Sequence, residues 1–153
     1  IEKERCIRSI KEIATYSGCN GMIGGQVLDL MSSFDNMDED KLLFMYESKT
    51  AALIRASLVA GAIIGGANSE EISIIRDFGL YLGLAYQIRD DLLDENQDSN
   101  INKFTYLKYH SKEDSEKQVE LLSRKAIASI DLLHNCDTTF LKELTHYLID
   151  RAI

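Results

Sequence analysis

The chain contains no proline and only nine glycines in 153 residues. Antiparallel sheet proteins need more turn-formers than that, so an all-α fold is expected. Positive charge is also short: 17 Lys and Arg stand against 25 Asp and Glu, a net charge of −8. That balance excludes general nucleic-acid binding, which depends on basic surface. It would also repel a polyanionic substrate unless metal ions intervened. The three cysteines, Cys6, Cys19 and Cys136, are odd in number and far apart, with no CxxC or His/Cys spacing. They give no zinc site, and they fit a reducing, cytoplasmic compartment. No signal peptide is visible. The longest weakly polar stretch, 51–67, contains Arg55 and Ser57 and falls short of the ~20 apolar residues of a membrane span, so no stable membrane insertion is expected. The sequence opens at Ile1 inside a helical pattern, with no initiator methionine, so a fragment of a longer protein is expected.

Hydrophobic residues make up 45% of the chain, enough for one globular domain over 1–153. Six helices and no strand are expected. The first spans 1–17, with Ile7, Ile10, Ile13 and Ala14 on one face, and Gly18 closes it. A short helix covers 22–33. A single long helix runs from 38 to 64, with Asp38, Glu39 and Asp40 in its first turn, and Gly65-Gly66 stops it. Asn68 and Glu71 form a capping box for a helix that reaches 94. The stretch 95–104 is polar and turn-like. Ser111 caps a helix to about 134, and Asp137 or Thr138 caps the last, to about 152. Gly61, Gly65, Gly79 and Gly83, with Ala51, Ala52, Ala56, Ala60 and Ala62, place small residues along the middle helices, which lets helix axes approach closely.

The sharpest chemical pattern is 86–94, Tyr-Gln-Ile-Arg-Asp-Asp-Leu-Leu-Asp. On a helix, Asp90 and Asp94 share a face, Tyr86 and Gln87 precede them by a turn, and Asp91 sits about 100° to the side. The plainer reading is a solvated acidic helix end. However, the cluster closes an apolar helix, where negative charge opposes the macrodipole, so it is poorly placed without a cation. An oxygen-seeking cation such as Mg²⁺ would relieve the repulsion. An EF-hand reading of Asp94, Asn96 and Asp98 fails, because Ser99 and Thr105 stand where glycine and glutamate are needed. Lys49 shares its helix face with Leu42, Met45, Ala52, Leu53 and Ala56. It either snorkels to water or aims its ammonium, beside the Thr50 hydroxyl, at phosphate in a cavity. The segment 21–30 is glycine-rich without being a P-loop, and places Gln26 about one turn before Asp29. Its adjacent Gly24 and Gly25 point to close approach by another backbone or an elongated apolar ligand.

In this order, the segments GMIGGQVLDL, KT, YQIRDDLLD and KFTY resemble the second half of the trans-isoprenyl diphosphate synthases, which include the farnesyl and geranylgeranyl diphosphate synthases. The resemblance runs from about Gly18 to Tyr106 and implies the C-terminal portion of an antiparallel helical bundle around a deep cavity. It implies head-to-tail condensation of isopentenyl diphosphate with an allylic diphosphate, with Mg²⁺ as cofactor and a homodimeric enzyme. Asp90, Asp91 and Asp94 match the second aspartate-rich, metal-binding motif. Lys49 matches the lysine on the allylic diphosphate, with Thr50 and Gln87 at the same site, and Tyr86 falls near the homoallylic substrate. Gln26, Asp29 and Lys103 match further polar substrate-binding positions. The terminal Arg151 resembles a basic tail on isopentenyl diphosphate.

The family's first aspartate-rich motif has no counterpart, since the 35–40 acidic cluster lacks its spacing. The loop between the second motif and KFTY is also shorter than usual. These 153 residues alone are therefore not expected to catalyse condensation. The alternative reading is a non-catalytic helical partner or regulatory subunit that kept the fold.

Overall fold

The computed structural model describes residues 1–31, 37–94, 104–134 and 136–149. Helix α1 spans Lys3–Ser17, α2 Met22–Met31 and α3 Glu39–Tyr46. A π-helical turn, Glu47–Ala51, leads into α4, Ala52–Gly65. Then come α5, Ser69–Asp94, a 3₁₀ turn at Tyr106–Lys108, α6, Lys112–Ile130, and α7, Thr139–Ile149. There is no strand among the described residues.

Local chemistry accounts for most of the boundaries. Gly66 adopts φ +91°, and its N–H reaches Ile63 O while Ala67 N–H reaches Ala62 O, at 3.1 and 2.9 Å. These are the two bonds that close a helix on a left-handed residue, for which glycine carries no Cβ penalty. The capping box before α5 forms in both directions. Asn68 Oδ1 accepts from Glu70 and Glu71 N–H, and Glu71 Oε2 accepts from Asn68 N–H at 2.8 Å. Asp38 caps α3 through Lys41 N–H, and that bond holds the Asp38 carboxyl below the usual carboxylate range. Ser111 caps α6, and Asp137 accepts from Thr139 N–H at the start of α7.

The bundle is organised round α5, which lies between α4 and α6. Phe78, Leu82, Ala85, Ile88 and Leu92 recur at three- and four-residue intervals along α5, and all are buried. They meet Leu42, Val59 and Ile63 on one side and Leu122, Ala126 and Ile130 on the other. Fully burying each large apolar side chain contributes about 1.5–3 kcal/mol. By length and composition alone the helical run Glu39–Gly65 could cross a membrane. In the bundle it buries Leu42, Val59 and Ile63 against the other helices.

Two features lie beyond what the sequence pattern specifies. The single helix expected over 38–64 runs continuously from Glu39 to Gly65 but widens in the middle, where Ala52 N–H bonds Glu47 O, five residues back rather than four. One extra residue enters the turn, a device periodicity cannot reveal because the apolar spacing continues on both sides. The apolar stripe of α1 also faces away from this bundle: Ile7, Ile10 and Ile13 are 56, 66 and 47% exposed. The polar side of α1 makes the contact instead. Ser9 Oγ donates to Ala60 O at 3.3 Å, and Arg76 bonds both Tyr16 OH and Glu12 at 3.1 Å. The small residues of α4 admit such a short polar side chain at close range.

Candidate active site

The site is built on the π turn. Gly25 of α2 packs on one side of it, where a Cβ would lie 2.5 Å from Lys49 N and 2.9 Å from Ser48 Cβ. Gly83 of α5 packs on another, where a Cβ would lie 2.5 Å from Ala51 Cα and Cβ. Two glycines thus let two helices rest on the backbone of the turn carrying Lys49 and Thr50. Of the two readings of the 24–25 glycine pair, close backbone approach is the one seen at Gly25.

A cavity of about 230 Å³ opens over this turn, lined by Asp29, Met45, Tyr46, Lys49, Thr50, Gln87, Asp90, Asp91 and Phe104. Lys49 does not reach away from the acidic end of α5; it shares a cavity with Asp90. Its ammonium pairs with Asp29 at 2.5 Å, both groups being partly exposed. Thr50 Oγ1 donates to Gln87 Oε1 at 2.7 Å, and Gln87 Nε2 donates to Asp91 Oδ1 at 3.4 Å. Asp91 Oδ2 also accepts from Tyr46 OH and from Tyr106 N–H, the latter at 2.9 Å. A carboxylate can only accept, so Gln87 turns its NH₂ to Asp91 and its oxygen to Thr50.

The three aspartates separate. Asp90 and Asp94 are half-buried, whereas Asp91 is buried at 3% exposure among the donors just described. Among the described residues no three acidic, histidine or cysteine side chains gather as a metal site. Asp90 alone of the half-buried pair lines the cavity, and Asp94 does not; a carboxylate on open space still fits Mg²⁺, which takes one or two carboxylates and leaves its other positions to water and phosphate. Burial, the Asp91 charge and the bond to it together push the Tyr46 hydroxyl pKa far above its ordinary value, so Tyr46 stays a donor.

Not every expected residue lines the cavity. Tyr86 packs partly buried against the core, and Gln26 is half-buried on α2 a turn before Asp29. Lys103 and Arg151 lie outside the described residues. Sequence reasoning passed over Tyr46 and Phe104. Tyr46 carried a usable signal, because a hydroxyl within an apolar helix face must find a partner once buried. Phe104 sits with Lys108 Nζ 3.8 Å from its ring centre, and the following turn is fastened to α3 by His110 Nε2 on Glu39 at 2.6 Å.

Comparison with known proteins decides the family, because the polyprenyl synthetase sequence model matches residues 5–129. The chain belongs to the polyprenyl synthetase family. It is 36% identical to a chloroplastic geranylgeranyl pyrophosphate synthase of Catharanthus roseus, over 82% of this chain and 39% of that protein. With the mitochondrial geranylgeranyl pyrophosphate synthase 6 of Arabidopsis thaliana it shares 30% identity, over 99% of this chain and 50% of the relative. This polyprenyl synthetase chain thus spans half or less of the length of these relatives. Among solved structures, an FPP/GFPP synthase from Zymomonas mobilis superposes with a TM-score of 0.86 at 28% identity, covering 96% of this chain and 52% of that one. A geranyltransferase from Helicobacter pylori, complexed with magnesium and isoprenyl diphosphate, superposes at 0.79 and 28% identity, covering 98% and 52%. The fold is therefore the all-α isoprenoid synthase bundle.

Proposed function

We propose that the protein containing this chain condenses isopentenyl diphosphate head-to-tail with an allylic diphosphate, the chain supplying one wall of the diphosphate site. The observation that carries this reading is the single cavity shared by Lys49, Thr50, Gln87 and Asp90. It brings an ammonium, hydrogen-bonding groups and a carboxylate to one place, on a chain whose net charge is −8.

Asp90, with Asp94 as the further carboxylate of the motif, would hold Mg²⁺, which when bound would offset negative charge on the departing diphosphate. Lys49 places its ammonium beside the same diphosphate and exchanges its Asp29 partner for phosphate oxygen. Gln87 and Thr50 orient the anion next to it. Met45 and Phe104 form the apolar part of the lining, which keeps water from an electron-poor allylic carbon. Gln26, Asp29 and Lys103 serve as further polar substrate-binding positions, and Tyr86 acts toward the homoallylic substrate. Homodimeric assembly, cytoplasmic placement and the absence of stable membrane insertion complete the proposal. The free state of Cys6, Cys19 and Cys136 supports the compartment.

The experiment is a condensation assay on the full-length protein with Mg²⁺, isopentenyl diphosphate and a series of allylic diphosphates, repeated for Asp90→Ala. The expected result is product from the parent and a loss of about 100-fold or more in the variant, the usual scale for losing a group that stabilises transition-state charge. Equal activity in both removes Asp90 from the site. No product from any allylic diphosphate supports a regulatory subunit instead.

A further inference from the structure

We infer that Tyr46 is a positioning residue for the diphosphate-binding turn, acting through Asp91 and Gln87 on Thr50. The inference rests on the functional reading above and deepens it.

Tyr46 is the last residue of α3, immediately before the π turn, and it is 2% exposed. A hydroxyl buried that deeply needs a partner, and Asp91, also buried, is the acceptor. Asp91 in turn joins three separate pieces of chain: α3 through Tyr46, α5 through Gln87, and the segment leading into the 3₁₀ turn through Tyr106 N–H. A buried carboxylate is expensive unless its lone pairs are matched, so removing one donor loosens the whole set. The far end of the chain is Thr50, whose hydroxyl is held by the Gln87 amide that Asp91 orients. The π turn also follows directly from Tyr46 along the backbone. Tyr46 therefore holds the turn twice, once covalently and once through this relay.

The test uses the full-length protein with Mg²⁺ and inorganic pyrophosphate, read by titration calorimetry on Tyr46→Phe, Thr50→Val and the double variant. Each single change is expected to weaken pyrophosphate binding roughly tenfold, the scale of one charge-assisted hydrogen bond. The double variant should bind about as weakly as Thr50→Val alone, because both changes cut one relay. Unchanged affinity in Tyr46→Phe, or losses that multiply in the double variant, overturns the inference. A lowered melting temperature with affinity retained does the same, since it makes Tyr46 a stability residue only. A second measurement needs no substitution and so does not depend on a variant folding. Buried and bonded to Asp91, the Tyr46 hydroxyl proton should exchange slowly enough to give an NMR signal, and that signal should persist after Mg²⁺ and pyrophosphate are added. Its disappearance means that Asp91 has turned to the cation, and the inference falls. A parent protein that binds no pyrophosphate with Mg²⁺ sinks the functional proposal as well, whereas a binding parent matched by Tyr46→Phe sinks only this one.

Discussion

Replacing Gly25 with alanine tests whether the site depends on close docking of α2 against the π turn. The added Cβ would stand 2.5 Å from Lys49 N, and the nearest atoms it meets are backbone, which cannot swing aside. Restoring ordinary contact at about 3.5 Å requires a shift of about 1 Å between α2 and the turn. Overpacking of this kind costs about 1–3 kcal/mol. Alanine gains back up to about 1 kcal/mol of helix propensity, which leaves a net loss of up to about 2 kcal/mol when that gain is realised in full. The control is Gly61→Ala on α4, where nothing lies within 4 Å of the added Cβ. There only the propensity gain remains, so stability should rise by up to about 1 kcal/mol. Denaturant titration of both variants reads the difference. Kinetics read the site, because displacing Lys49 and Thr50 by about 1 Å should lower kcat/KM by about 10- to 100-fold in Gly25→Ala and leave Gly61→Ala unaffected. A Gly25→Ala protein as stable and as active as the parent would refute the reasoning.

Phe78→Ala, at a side chain with no exposure, should cost about 3–5 kcal/mol in denaturant melts. Gly66→Ala places a Cβ at φ +91° and against the Arg5 guanidinium, so it should lose about 1–2 kcal/mol by the same measurement. Tyr46 is raised in the folded state above the ordinary tyrosine pKa of about 10, so its contribution is complete below that pH and is lost as pH climbs toward the folded value. Each unit above pH 10 should then cost about 1.4 kcal/mol on its account. Alkaline melts of Tyr46→Phe should show a correspondingly shallower decline.

The helices were legible because their punctuation is local. The Asn68–Glu71 box, the Gly66 stop and the Ser111 cap each follow from residues a few positions apart. The site residues Lys49, Thr50, Gln87 and Asp90 were legible as motif members, and they do line one cavity. The π turn was not. Inserting one residue leaves the apolar spacing intact on either side, so no local pattern marks it. What accommodates the turn is tertiary: Gly25 and Gly83, both remote in sequence, rest against Ser48, Lys49 and Ala51. The inward turn of Asp91 was equally hidden, since its partners Tyr46 and Tyr106 lie 45 and 15 residues away in sequence. The outward face of α1 shows the same limit: helical periodicity finds an apolar stripe but does not say which side meets this bundle.

The central claim is that Lys49 and Asp90 act on one diphosphate together with Mg²⁺. Calorimetric binding of inorganic pyrophosphate to the full-length protein, with and without Mg²⁺, tests it most directly. The account predicts binding that requires Mg²⁺ and weakens by about 100-fold in both Lys49→Met and Asp90→Asn, since each removes a charge from the site. Metal-independent binding, or parent-like affinity in both variants, would contradict it.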